Sequence, residues 1–125
     1  MINNMNALIS LRPGAEWEWL DNDTNYEDYS KLTWLDSTPQ PSEVEITTKK
    51  AELEAAVPMK MLRSIRTQLL KDSDWTSLPD NSLSSEKKTE WATYRQELRD
   101  LPSTVSPQLD SKGTLINVTW PTQPD

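Results

Sequence analysis

Six tryptophans and no phenylalanine are the first constraint on how this chain of 125 residues can fold. Apolar residues make up only 34% of it, against roughly 45–50%, glycine included, in an ordinary globular domain. A core built from so little must use the indole rings, each of which removes a large area from water when buried. Trp17, Trp34 and Trp75 are therefore read as core residues. A chain this lean is expected to be modestly stable alone, which suits a protein completed by a partner.

The composition also removes whole classes of chemistry. There is no Cys and no His. No disulfide framework or cysteine zinc site can be written, and neither can Ser-His-Asp or Cys-His catalysis or a His-ligated transition metal. Gly14 and Gly113 are the two glycines, too few for a phosphate-cradling glycine loop. Asp21, Asn22 and Asp23 come closest to a calcium loop but lack its glycine, so they read as solvated turn residues. Glu16 and Glu18 share a strand face beside tryptophans, a pairing that could act on a glycan. Such an enzyme needs a walled cleft, and a solvated outer strand face is the stronger reading. Ser64, Ser82, Ser84 and Tyr94 have no visible base beside them. The expectation is a protein that is not an enzyme, with no cofactor, no metal and no small-molecule ligand.

Charge points the same way. Thirteen basic residues against twenty acidic ones leave a net charge of −7, which repels phosphate backbones, so no nucleic-acid partner is expected. No apolar run approaches the ~20 residues of a membrane helix. Met1 to Leu11 has Asn where a signal peptide carries Lys or Arg, and Arg12-Pro13 soon ends its apolar stretch. The expectation is a cytosolic product with no targeting segment.

Along the chain, residues 1–37 read as an N-terminal hairpin module. Glu16-Trp17-Glu18-Trp19-Leu20 alternates with period two, and so does Leu32-Thr33-Trp34. Between them lies a polar loop, Asp21 to Asp28, with turn formers Asn22, Asp23 and Asn25. Trp17, Trp19, Leu32 and Trp34 would form the inner face. Two strands alone are barely stable, so something must cover that face.

Residues 38–71 read as a linker and a long amphipathic helix. Ser42 is an N-cap with Glu45 completing a capping box, so the helix should begin near Glu43. Leu53, Val57, Met61, Ile65 and Leu69 recur every four residues, with Leu62 beside them. Pro58 inside this stretch predicts a kink or two helices in series.

Residues 72–125 read as a third module. Asp72, Ser73, Asp74 and Pro79-Asp80-Asn81 are turn chemistry, with Trp75 and Leu78 tucked inward. Ser84 can cap a further helix, on which Trp91, Tyr94, Leu98 and Leu101 form one face and which Pro102 should end. A loop over 102–113 then leads to a strand in which Ile116, Val118 and Trp120 alternate until Pro121. The fold class is α+β: a small β-hairpin module, a long Pro-kinked helix, and a helical module with a C-terminal strand.

Trp, Tyr and Arg dominate interface hot spots, so three surfaces are candidates for a partner. Trp91 and Tyr94 share a helix face with Arg95 and Arg99 beside it, and internal packing and partner contact are both open there. Ile116, Val118 and Trp120 could add as a strand to a partner's sheet edge. Trp17, Trp19 and Trp34 could serve a glycan-binding module.

One specific resemblance spans residues 66–122. Arg66…Leu69-Leu70 is followed by Asp74-Trp75-Thr76, Pro79-Asp80, then Trp91-x-x-Tyr94-Arg95-x-x-Leu98-Arg99, and a closing Trp120-Pro121. This order of marks resembles the phage tail assembly chaperone domain of tail-fibre assembly proteins. The stretch Ser103 to Gly113 is longer than that family leads one to expect. In the first half, Trp34-Leu35-Asp36 and Pro41-Ser42-Glu43-Val44-Glu45-Ile46 are similar to small fibre-associated proteins of phages, cyanobacterial phages included. The resemblance implies a chaperone that binds a trimeric tail-fibre protein and aids its folding and trimerisation in the host cytoplasm. The alternative it leaves is a minor structural component kept in the virion tail or fibre tip. It implies no catalytic residue and no cofactor.

Overall fold

The computed structural model describes residues 2–20 and 26–125. The chain divides into two compact units, Met1–Ala56 and Val57–Asp125. The turn formers Asn22, Asp23 and Asn25, and the calcium-loop candidates with Asp21, lie outside the described residues.

The first unit begins with a helix that the sequence reading did not assign, α1 (Asn4–Leu11). Asn3 caps it by accepting from the Asn6 amide at 3.1 Å, while the Asn6 side chain accepts from the Asn3 amide at 2.8 Å. This reciprocal pair satisfies two of the orphan donors of the first turn. The helix buries Ala7 and Leu8 completely. Strands β1 (Trp17–Trp19) and β2 (Leu32–Trp34) pair antiparallel, with Trp17 opposite Trp34 and Trp19 opposite Leu32. The expected inner face, Trp17, Trp19, Leu32 and Trp34, packs on Ala7, Leu8 and Ile46. The cover that the hairpin required is thus α1 together with the first turn of α2 (Glu43–Asp72). Truncating Leu8 to Ala should cost about 2 kcal/mol, the low end for a buried leucine because so short a helix can settle into the gap. Denaturant unfolding followed by tryptophan fluorescence reads the loss.

Polar ties fix the edges of this hairpin. The Asp36 carboxylate accepts from the Thr38 hydroxyl at 2.6 Å, the Thr38 amide at 3.1 Å and the Glu16 amide at 3.1 Å. The Tyr29 hydroxyl donates to the Pro41 carbonyl at 2.7 Å, and the Trp34 indole to the Thr38 carbonyl at 2.7 Å. Donation from the Thr38 hydroxyl, then from the Thr38 and Glu16 amides, holds the Asp36 carboxyl below the usual carboxylate range. A depressed folded-state pKa contributes stability above the unfolded value and loses it as pH falls through the folded value. The hairpin should therefore lose this contribution as pH falls from the ordinary carboxylate range through the lower folded value, and Asp36→Asn should flatten that part of the profile. Carboxyl titration followed by NMR checks both.

Helix α2 starts where the sequence indicates. The Glu45 amide donates to Ser42 Oγ at 3.1 Å and the Ile46 amide to the Ser42 carbonyl at 3.0 Å. It continues through Pro58 as one helix of 30 residues, not two in series. The four-residue apolar stripe does not form one packed face. Residues four apart drift by about 40° per step on an α-helix. Ile65 is accordingly 42% exposed, and Leu62 is the fully buried residue of this segment. Leu69 and Leu70 join the packed side farther along.

Helix α3 (Ser85–Thr104) is capped by Ser84, whose Oγ accepts from the Lys87 amide at 3.2 Å. Trp91, Tyr94, Leu98 and Leu101 are all buried, as their spacing predicts. The helix runs two residues past Pro102, which was expected to end it. A proline in the last turn forfeits a single backbone bond. The Ser103 and Thr104 hydroxyls also bond the carbonyls of Asp100 and Leu101, at 2.7 and 3.1 Å.

The stretch expected as loop and strand is a tight hairpin. β3 (Gln108–Leu109) pairs antiparallel with β4 (Leu115–Ile116). The Asp110 carboxylate accepts from the Lys112 and Thr114 amides, each at 2.9 Å, and Gly113 takes a left-handed φ of 81°. The predicted strand through Ile116, Val118 and Trp120 stops at Ile116. Asn117 has φ 68°, which breaks the extended backbone, and its side chain donates to the Ser106 carbonyl at 2.8 Å.

Candidate partner-binding site

Most of the candidate residues meet in the second unit, where the end of α2, the 3-10 turn Asp74–Ser77 and α3 come together. Trp91, Tyr94 and Leu98 form its buried centre, with Leu69, Leu70, Leu83 and Trp120 packed around them. The Trp91 ring stands edge-on to Trp75 at 5.6 Å and to Tyr94 at 5.7 Å, separations at which aromatic pairs attract beyond simple burial. Trp75 itself is 45% exposed and Leu78 59% exposed. Both were expected to tuck inward. The turn is too short to fold either side chain under it, and Trp75 meets the core only along its edge.

Arg95 ties the three elements. One guanidinium nitrogen donates to the Leu70 carbonyl at 2.7 Å and to Ser73 Oγ at 2.7 Å; the other donates to the Asp74 carboxylate at 2.9 Å. Ser73 is buried and turns its hydroxyl back to the Leu69 carbonyl at 2.9 Å. Thr76 is buried and bonds the Ser73 carbonyl at 2.7 Å. The last turn of a helix leaves carbonyls without partners and carries partial negative charge. A cation placed there answers both needs. Arg66 makes a second tie, donating to the Arg99 carbonyl at 3.3 Å. Among the described residues, the buried donors Trp91 Nε1 and Arg66 Nε have no acceptor.

Tyr94 loses hydration on burial, and the nearby Asp72 adds negative charge; both push its hydroxyl pKa upward. It stays a neutral phenol at any physiological pH. Beside it runs a groove of about 520 Å³ in which Glu90, Glu97 and the segment Thr122–Asp125 take part.

Trp91, Tyr94 and Arg95 therefore occupy the interior, whereas Arg99 stands exposed on α3. Ile116 is exposed, Val118 and Trp120 are half-buried, and only Trp120 of these packs on the core. Trp17, Trp19 and Trp34 are spent on the hairpin's packing face. Sequence reasoning took Ser73 for turn chemistry alone and gave neither it nor Lys88 a place at this site. A helical-spacing signal for Lys88 existed, since Lys88, Arg95 and Arg99 recur at seven and four residues.

The model of a family described as phage tail assembly chaperone protein matches residues 59–125. No curated protein and no solved structure matches the chain. The matched span is the second unit almost to the residue. The residues that carried the resemblance in the sequence have visible jobs there: Asp74 and Arg95 are the ion pair, Thr76 pins the turn, and Trp91, Tyr94, Leu98 and Trp120 are the packing. The match covers more than half of the sequence, and the chain belongs to the phage tail assembly chaperone protein family, with its role in the building of a phage tail.

Proposed function

We propose that this protein binds a trimeric tail-fibre protein in the host cytoplasm and assists its folding and trimerisation, with no catalysis, cofactor or metal. Trimeric fibres are rich in non-local β contacts, so their chains fold slowly and expose apolar edges on the way. The observation that supports this reading is the exposed turn of the family-matched unit, where Trp75 and Leu78 face solvent on a scaffold fixed by Arg95. Single exposed apolar side chains are ordinary, but Trp75 lies in this turn and Leu78 directly follows it, within the family-matched span. The rival surface, a strand through Ile116, Val118 and Trp120, has too little extended backbone to add to a sheet edge.

The test is capture of the co-expressed neighbouring fibre protein by the tagged chain. The fibre protein should co-purify, and Leu78→Ser should reduce the yield without changing the melting temperature. Absence of the fibre from the capture, with the protein present in purified particles, would make it a minor structural part of the virion tail instead.

A further inference from the structure

Helix α3 has a second working side. A cleft of about 300 Å³ opens beside the turn, lined by Thr76 and Ser77 and by Lys88, Arg95, Gln96 and Arg99 of α3. Its lining contains three cations and no carboxylate, on a chain whose net charge is −7. Asp74 already neutralises Arg95. The other two are uncommitted: Lys88 makes no ion pair among the described residues, and Arg99 makes one long hydrogen bond, 3.4 Å to the Gln96 side chain. The opposite side of the helix carries Glu90 and Glu97, which line the larger groove with Asp125 and one cation, Lys87, itself paired with Glu90. The three cations of the cleft thus meet no carboxylate within its own lining.

Lys88 and Arg99 are eleven residues apart, which returns them to the same side of the helix about 16 Å apart along its axis. An extended chain covers that distance in about five residues. We infer that this cleft takes the carboxylates of an extended acidic segment of the tail protein under assembly, spaced about four or five residues apart. The inference rests on the function proposed above and names the chemistry of its partner. A nucleic acid fits less well. Neutralising two phosphates releases too few counterions to hold a polyanion against the rest of this acidic surface.

The probe is hexaglutamate, titrated into the isotope-labelled full chain and followed by amide NMR. Shifts should be confined to Ser77, Lys88, Gln96, Arg99 and their neighbours, fade with added salt, and be absent with hexaglutamine. Lys88→Glu/Arg99→Glu should weaken the binding by about tenfold or more, because like charges now oppose the probe. Both side chains are exposed, so the fold should survive. Shifts that are scattered, equal with hexaglutamine, or matched by a thymidine hexanucleotide would overturn the inference. So would sedimentation showing a dimer that this double substitution abolishes, which would give the cleft to a second copy. Capture of the co-expressed fibre protein by the double variant at the unaltered level would remove the inference and leave the proposed function standing. Failure of the unaltered chain to capture it would remove the function and, with it, the occupant named here.

Discussion

Trp91→Ala should cost about 4 kcal/mol, enough to unfold most of a second unit this small. The ring is 6% exposed, stands against Trp75 and Tyr94, and belongs to the buried cluster on which Leu69, Leu70 and Leu83 pack. Its removal leaves a void that the ends of α2 and α3 cannot both close. Trp91→Phe should behave differently. It keeps most of the packing and deletes an indole N–H that is buried with no acceptor, a group whose desolvation costs about 1–3 kcal/mol. The Phe variant should therefore sit within about 1 kcal/mol of the parent, since the lost volume and the removed orphan donor offset each other. Chemical denaturation of the three proteins decides it. If the Ala variant were as stable as the parent, Trp91 would have to be an interface residue and not the centre of the core.

Arg95→Ala carries the second large expected loss, about 3 kcal/mol. The figure comes mainly from the two bonds to the Leu70 carbonyl and Ser73 Oγ. The Asp74 carboxylate is 65% exposed, so solvent screens that ion pair and it contributes little by itself. Asp74→Asn should accordingly cost under about 1 kcal/mol. Arg95→Lys should recover less than half of the loss, because one ammonium cannot reproduce two nitrogens aimed at three acceptors. Equal stability of the Lys variant and the parent would show that charge at the helix end, not the fork of hydrogen bonds, is what matters.

These two residues alter the reading of the helix face on which they lie. Trp91, Tyr94 and Arg95 were open between packing and partner contact. Their burial makes any loss of fibre binding in Trp91→Ala or Arg95→Ala a consequence of unfolding. Variants of exposed residues, Leu78, Lys88 and Arg99, are the ones that report on a partner.

What the sequence could reveal follows from how local each signal is. The hairpin was legible because alternation in Trp17-Glu18-Trp19 and Leu32-Thr33-Trp34 marks a strand with one buried face, and the register follows from matching the two faces. The α3 face and the Ser42 and Ser84 caps were legible for the same reason: each is written within a few residues. Helix α1 was not, since Asn3 and Asn6 form its capping box where Ser, Thr, Glu or Gln would advertise one. The end of the last strand was hidden in one backbone angle at Asn117. The tie from Arg95 to Leu70 and Ser73 joins residues more than twenty positions apart, and no periodicity shows such a contact. The residues that carried the resemblance contained both ends of this ion pair, Asp74 and Arg95, yet did not say that they touch.

The central claim is that this protein helps a fibre chain to reach its trimer, and the yield of soluble trimer tests it most directly. The neighbouring fibre gene would be expressed with and without this protein, and trimer quantified by gel filtration and resistance to detergent. The account predicts several-fold more trimer on co-expression, lowered by Leu78→Ser while the melting temperature of the variant is unchanged. An identical trimer yield in the presence and absence of the protein would contradict it.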